Sequence, residues 1–530
     1  MRVYTAQGMA SDSTTYNVSF VFRTDELNPE KLQTAVDKIL KRHEILRTRF
    51  DNQEGKIIQV LDENAECKVE ALDIDDISAF IRPFDLNKAP LIRVGYYEKT
   101  VMIDIHHIVT DGSSMPVFLR ELNEFYMGRE VETPTVPYKV FALQEEYHSE
   151  SEKYWMSVYS DEIPVLELNT DFKAGTKQTF NGSGVYDLVP EKLNSKIVLK
   201  CKEFGITPYV FYMSAFNVML ARFSGGEDII VGAPMSGRSS RFLNSIGMFV
   251  NTVALRNKPI GTKLVKDFML EVKENSIQAL AHQDYPYGEL VKKLNIAPGG
   301  RNPLFDIMFA YQSEEMTEVI FGDKKAELLQ IPITSSKYDI TFSVLPQEKD
   351  VVLAAEYCTD LYRESTIKRF MESYKYILKQ MLDGNKRLKD IAAITGEESD
   401  RVLCQFNATD RVYNQGIYLH RIFEEQAERT PNQIAVIAPD CNLTYAELNV
   451  RANQAAHSLI EQGISVGDIV AFALPRSSSM IAIILGILKA GAAYLPVYPD
   501  YPQDRIDYML ADSNAKLFIT EENYHTVTEN

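Results

Sequence analysis

Val101-Met102-Ile103-Asp104-Ile105-His106-His107-Ile108-Val109-Thr110-Asp111-Gly112-Ser113-Ser114 reads as a strand, a turn and the start of a helix. Val101, Ile103 and Ile105 alternate with Met102 and Asp104, a period of two rich in β-branched residues, which predicts a largely buried strand running into the two histidines. Asp111-Gly112 is a turn signal, and Ser113 or Ser114 can cap a helix. Phe118, Leu122 and Phe125 then recur at helical spacing behind Pro116, which a first helical turn tolerates. Successive strand residues point to opposite faces, so His106 and His107 are expected to diverge, one structural and one available. An imidazole titrating near neutrality suits proton transfer, and the Asp111 carboxylate can tie the turn down through an ion pair. The helix start offers backbone N–H groups to a developing oxyanion. This arrangement suits acyl transfer without a side-chain nucleophile. Two plainer readings stand beside it. One is a core histidine next to a surface one, the commoner fate of such a pair. The other is a metal site, disfavoured because adjacent strand histidines diverge and no further His or Cys follows at ligand spacing.

With 530 residues the chain is too long for one hydrophobic core, and roughly two to four domains are expected. Its 45% hydrophobic and 25% charged residues are ordinary for a globular protein, and a formal net charge of −18 argues against nucleic acid or an anionic membrane as the main partner. Cys67, Cys201, Cys358, Cys404 and Cys441 are scattered and form no CxxC, so neither a disulfide framework nor a zinc site is suggested and a reducing cytoplasm fits. Met1-Arg2-Val3-Tyr4-Thr5-Ala6-Gln7 lacks the apolar core of a signal peptide. The apolar run from Met480 to Leu488 stops at Lys489, well short of the roughly 20 residues of a spanning helix.

Upstream of the central stretch, Tyr16 to Arg23 alternates around Val18, Phe20 and Phe22 as a strand. Asn28-Pro29-Glu30 then caps a helix whose buried face is Leu32, Ala35, Val36, Ile39 and Leu40. The charge cluster from Arg42 to Phe50 has a plain reading as a solvated helix end. Downstream, Thr170 to Gly184 is a polar, Gly-rich crossover. A second α/β unit follows: a helix through Leu193, Ile197, Cys201 and Phe204 ending at Gly205, another starting at Thr207-Pro208, and a strand from Asp228 to Val231 ending at Gly232-Ala233-Pro234. Ile367, Phe370, Tyr374, Ile377 and Met381 mark a helix, after which Gly396-Glu397-Glu398-Ser399-Asp400 has the composition of a linker.

His106-His107-x-x-x-Asp111-Gly112 resembles the signature of the condensation domains of nonribosomal peptide synthetases, shared with chloramphenicol acetyltransferase. Arg42-His43-Glu44-Ile45-Leu46-Arg47-Thr48-Arg49-Phe50 matches the family's RHExLRTxF in full. Tyr138 to Gln144 resembles a further family segment, with Val140 and Leu143 where Asp and Trp are usual. The segments Ile246 to Arg256, His282 to Tyr287 and Arg301-Asn302-Pro303-Leu304-Phe305 follow in the family's order, and Leu443 to Leu448 and Leu488 to Pro496 resemble the opening motifs of adenylation domains. The resemblance implies an α/β protein of two chloramphenicol-acetyltransferase-like lobes, a V-shaped pseudodimer with a channel between them, followed by a partial α/β adenylation subdomain. The expected boundaries are 1–168 for the N-lobe, which starts inside the family's first motif, 169–385 for the C-lobe, 386–415 for a linker and 416–530 for a truncated adenylation part. No Gly-rich phosphate loop with its Lys follows, so that part is not expected to activate amino acids and an adenylate-forming ligase is disfavoured.

The implied activity is peptide-bond formation between a carrier-bound peptidyl or aminoacyl thioester and the amine of a carrier-bound aminoacyl acceptor. No cofactor is bound directly, the substrates riding on 4'-phosphopantetheine arms. The implied partners are donor and acceptor peptidyl carrier domains and the remainder of the adenylation domain. His107 would face the channel and orient or deprotonate the amine, or stabilise the tetrahedral state, with His106 beside it as the structural member. Asp111 would be structural, paired with Arg256, Arg301 or an arginine of the cluster after Lys41. Arg42 and Arg47 would brace the fold near the turn, and Gly112 would let backbone approach the substrate. The histidines argue against a heterocyclisation branch, which carries aspartates there, and the following adenylation start argues against an epimerisation branch. No histidine precedes His43, which argues against a dual epimerising branch. Gly247-Met248-Phe249-Val250-Asn251-Thr252 looks most like the branch taking an L-configured donor. The rival from another class is a catalytically silent carrier-docking module.

Overall fold

The computed structural model describes residue 4 and residues 13–528 apart from 55, 74–78, 134, 144–148, 174, 176–178, 297–301, 313–317, 322–323 and 414–415. The chain divides into two compact units, Met1–Gln405 and Phe406–Asn530.

The first unit holds two principal sheets with a separate hydrophobic core on each. In the first half of the chain β1 (Asn17–Arg23) is followed by α1 (Pro29–Arg42), whose N-terminus is capped by Asn28 Oδ1 accepting from Lys31 N at 3.0 Å. The buried face of α1 is Leu32, Ala35, Val36, Ile39 and Leu40, the five positions its periodicity selects. Then come β2 (Glu70–Ala71), β3 (Ile92–Tyr97), β4 (Thr100–His106), α2 (Ser114–Tyr126), α3 (Tyr138–Ala142) and α4 (Ser149–Val158). Strand β4 lies in mid-sheet, antiparallel to β1 on one side and β3 on the other, and is buried on both faces. Asp104 is therefore fully buried, and it is satisfied by Asn17 Nδ2 (2.8 Å), Ser19 Oγ (2.8 Å) and Arg93 Nη1 (2.9 Å) from the flanking strands.

The second half contributes β5 (Gly182–Val189), α5 (Glu191–Phe204), α6 (Pro208–Ser224), β6 (Ile229–Met235), β7 (Asn251–Asn257), α7 (Val265–Ala281), β8 (Ile307–Tyr311), β9 (Glu327–Leu329), β10 (Ile340–Pro346), β11 (Val351–Cys358) and α8 (Glu364–Gln380). Six of these strands form one mixed sheet in the order β5-β11-β10-β8-β6-β7. Strand β9 instead leaves its own half and pairs antiparallel with β1, Val21 opposite Leu329, giving the first sheet the order β9-β1-β4-β3-β2. Strand β6 runs on through Gly232-Ala233-Pro234, where the composition suggests an end. A Cβ on Gly232 would lie 2.2 Å from the Phe305 ring, so that glycine serves packing and not a turn. Leu388 and Ile391 are buried in the second core, with Leu388 N donating to Lys263 O at 2.9 Å. Gly396–Asp400 folds as a short helix capped by Thr395, against its linker-like composition.

In the second unit β12 (Asn442–Thr444) leads into α9 (Tyr445–Glu461) through a capping box in which Thr444 and Glu447 each accept the other's backbone N–H. Then β13 (Ile469–Ala473), α10 (Ser478–Lys489), β14 (Ala493–Pro496) and β15 (Leu517–Thr520) build a parallel sheet, β14-β13-β15, with α9 packed on α10. Among the described residues no single helix is long and apolar enough to cross a membrane.

Candidate functional site

Strand β4 ends at His106, and His107 opens a single 3-10 turn to Val109. The His106 backbone is still extended, and the two residues differ in burial, His106 fully enclosed and His107 half-buried. His106 is fully buried, its Nδ1 accepts from Ile108 N at 3.2 Å, and its ring meets Phe84 edge-on at 5.9 Å. Burial holds its pKa down at about 3, reinforced by the neighbouring His107, Lys337 and Arg93. His106 is a neutral structural group.

His107 is half-buried, with its backbone N–H fixed on Tyr16 O at 2.8 Å. Its Nδ1 is buried and meets no hydrogen-bond partner among the described residues. Burial, and after it the positive charge of Lys337, pushes the ring down to about 4, against the pull of Asp111 and of the backbone at His107 and Thr110. The near-neutral titration expected of this imidazole is thereby corrected: at pH 7 it is fully in the neutral form, able to accept a proton.

The turn behind it is built around the Asp111 carboxylate. Oδ1 accepts from Ser114 N (2.8 Å), Ser114 Oγ (2.7 Å) and Arg238 Nη2 (2.7 Å), while Oδ2 accepts from Phe249 N (2.9 Å). Both ion-pair side chains are almost closed to solvent, at 3% for Arg238 and 2% for Asp111. Arg238 also donates to the carbonyls of Phe242 and Ser245 and lies over the Phe249 ring, 4.1 Å from its centroid. The partner of Asp111 is thus Arg238, which the sequence analysis does not select. A local clue exists in Ser236-Gly237-Arg238: Gly237 has φ +62°, and a Cβ there would sit 2.2 Å from Phe249 O.

The expected candidates lie elsewhere. Arg256 pairs with Asp228 and Asp161 at the edge of the second sheet. Arg42 donates to Glu121 on α2 at 3.1 Å, where His43 Nε2 also lies 2.8 Å from Glu121, so this cluster braces the helix behind the turn. Arg47 Nε donates to Leu40 O at 2.9 Å and closes the end of α1. Arg301 lies outside the described residues. The first N–H groups of α2 are not reserved for an oxyanion either, since Ser114 N is taken by Asp111 and Met115 N by Gly112 O. Gly112 is exposed, its φ is not positive, and a Cβ built on it meets nothing within 4 Å. Nothing inside the fold therefore requires a glycine there.

Three of the segments that carry the resemblance, 138–144, 246–256 and 282–287, are tied together beside this turn. Gln283 Oε1 accepts from Gly237 N at 3.2 Å, and Asn251 Nδ2 donates to the carbonyls of Gln283 and Tyr285. Tyr138, at the start of α3, donates from its hydroxyl to Met248 O at 2.8 Å, and its ring fills the space beside Gly247, where a Cβ would approach within 2.2 Å.

A two-sheet α/β unit with a neutral histidine presented on a clamped turn defines an acyltransferase-type condensation architecture. Residues 1–404 match the family described as Condensation domain and residues 423–530 the family described as AMP-binding enzyme. The chain belongs to the condensation-domain family, and its arrangement is that of nonribosomal peptide synthetases. It is 36% identical over 543 residues to Gramicidin S synthase 2 of Aneurinibacillus migulanus, covering 98% of this chain and 12% of that protein. It is 37% identical over 539 residues to Surfactin synthase subunit 2 of Bacillus subtilis (strain 168), covering 98% and 15%. The chain thus spans a small part of the length of these relatives. Among solved structures, holo-AB3403, a four-domain nonribosomal peptide synthetase bound to AMP and glycine, superposes with a TM-score of 0.85 at 22% identity, over 98% of this chain and 42% of that one. The condensation domain of the Monacolin K polyketide synthase MokA superposes with a TM-score of 0.64 at 22% identity, over 73% and 96%.

Proposed function

We propose that the first unit joins a donor peptidyl or aminoacyl thioester to the α-amine of an acceptor aminoacyl thioester, both presented on the 4'-phosphopantetheine arms of carrier domains in the cytoplasm. The amine nitrogen attacks the donor carbonyl, the C–S bond breaks, and the amine proton ends on the departing thiolate. The observation that carries this reading is His107, a neutral imidazole with an unpartnered buried nitrogen among the described residues, held on a turn whose Asp111 carboxylate is fully engaged. His107 orients the amine or accepts its proton. Gly112 supports the same reading, because a Cβ built there has no described atom within 4 Å and faces open space that a substrate arm can use. Gly247 to Thr252 supports a donor residue of L configuration.

The test incubates the protein with two loaded carrier domains and measures dipeptidyl product by mass spectrometry, with L- and D-configured donors in parallel. His107→Ala is expected to remain folded. It should lose about 10² to 10⁴ in rate if the ring acts as a base, and less if it only orients the amine. Absence of product from the unaltered protein would favour a silent carrier-docking module.

A further inference from the structure

Strand β1 begins at Asn17, directly opposite His106 on β4, and beyond that pair His107 N donates to Tyr16 O at 2.8 Å. The backbone of the histidine is thus held by the last hydrogen bond of the ladder, the kind that frays first. Tyr16 stands in the turn leading into β1, which Asn17 N closes by donating to Thr14 O at 2.9 Å. The Asn17 side chain keeps that end shut. Its Nδ2 donates to Asp104 Oδ2 (2.8 Å) and to Arg82 O (3.0 Å), and its buried Oδ1 accepts nothing among the described residues. Turning the amide over would set Oδ1 against two acceptors, so both donations are kept and the oxygen is left stranded. The two acceptors are fixed in turn by Arg93, whose Nη1 donates to Asp104 Oδ2 (2.9 Å) and Arg82 O (2.6 Å) and whose Nη2 donates to Pro83 O (2.7 Å). Its guanidinium lies 3.6 Å from the centroid of the Phe84 ring, the ring that meets His106 edge-on. The cluster of Asn17, Arg82, Arg93 and Asp104 therefore reaches both histidines, His107 at its backbone through Tyr16 and His106 at its ring through Phe84.

We propose that Asn17 is a positioning residue for the condensation reaction, its amide clamping the start of β1 to Asp104 and Arg82 so that Tyr16 O keeps the His107 backbone, and with it the imidazole, in place. The inference rests on the function proposed above. Ser19 supplies the contrast. Its Oγ donates at 2.8 Å to the other oxygen of the same carboxylate, but from within the ladder, where Ser19 lies directly opposite Asp104, and not from the end that holds His107. Removing either side chain takes a hydrogen bond from a buried carboxylate and lowers stability, whereas only the Asn17 change loosens the turn that carries Tyr16 O. A loss of stability alone leaves the rate per folded molecule untouched; a displaced imidazole does not.

The experiment compares Asn17→Ala with Ser19→Ala in the whole chain at a pH well above the Asp104 value of about 6, so that this carboxylate is ionised throughout. Two loaded carrier domains report the rate. Labelling with 15N-histidine, of which the chain has 8, reports hydrogen exchange at the His107 N–H, whose signal is assigned by its loss in His107→Ala. Asn17→Ala is expected to lower kcat about 10- to 100-fold with KM for the acceptor carrier within about twofold, and to speed the His107 exchange about tenfold. Ser19→Ala is expected to keep kcat and that exchange within about twofold of the unaltered protein. Folding is checked by the fluorescence of Trp155, the single tryptophan, and Asn17→Val, whose β-branched side chain favours the strand, serves if Asn17→Ala does not fold. Unchanged kcat or unchanged exchange in the folded Asn17 variant, or losses as large in Ser19→Ala, overturns the role of Asn17 alone. Absence of product from every form of the protein, the unaltered one included, overturns the condensation reading and the positioning role with it.

Discussion

Replacing Arg238 by Met removes one half of an ion pair whose two side chains are almost fully enclosed. The cost of breaking such a pair by deleting one partner is about 3 to 5 kcal/mol, because the survivor stays buried with its charge. Here Asp111 retains Ser114 N, Ser114 Oγ and Phe249 N as donors, which places the electrostatic part at the lower end. The carbonyls of Phe242 and Ser245 lose their Arg238 donor as well, at about 1 kcal/mol each. A total of about 5 kcal/mol is expected. Asp111→Asn should cost about 3 kcal/mol for a different reason: both carboxylate oxygens accept, so the new amide NH2 must face a donor whichever way it turns. With both changes made together the penalties overlap, and the cycle should show a coupling of about 2 kcal/mol. Urea unfolding followed by Trp155 fluorescence measures this, since Trp155 is buried in the core of the second half of the first unit. A loss under about 1 kcal/mol for Arg238→Met, or strictly additive single losses, would refute the idea that this pair organises the turn.

Gly247→Ala should destabilise the first unit by about 1 to 3 kcal/mol by forcing a methyl group into the Tyr138 ring, and should become nearly neutral in a Tyr138→Ala background, as urea midpoints would show. Thr444→Ala opens the capping box of α9 and should cost the second unit about 1 kcal/mol while leaving the Trp155 transition in place. His106 and His107 titrate at about 3 and 4 in the folded protein, below the ordinary value of 6.5, so as pH falls the unfolded chain takes up their protons first. Their contribution to stability is complete above about pH 6.5 and is lost as pH drops toward the folded values. Asp104, raised to about 6 by burial, acts with the opposite sign between about pH 6 and 4. The difference between the unaltered protein and His107→Gln isolates the imidazole, and the urea midpoint of the variant should fall less steeply on acidification.

What could be read from sequence divides along the range of the interaction involved. The buried face of α1 and its Asn28 cap depend on neighbours within a few turns, and the pattern reproduces them residue by residue. The contrast between a fully buried His106 and a half-buried His107 agrees with the alternation expected at the strand end, where the His106 backbone is still extended. Asp104 was obscured because alternation presumes one solvated face, whereas β4 is covered on both and its carboxylate is satisfied from β1 and β3. Gly232 and Gly247 carry a local grammar of turns, yet what each accommodates is a ring supplied from far along the chain, Phe305 and Tyr138. Arg238 stands 127 residues from Asp111 among 56 Lys and Arg, and no spacing rule selects it. These non-local ties also bear on how the site comes into being. The ligands of Asp111 come from residues 114, 238 and 249, and the sheet beneath is completed by β9, so the turn bearing His107 takes its shape only once the second half of the unit has folded against the first. A first half expressed alone would keep the residues of the signature and leave the Asp111 charge without its cation, and with it the geometry that presents the imidazole.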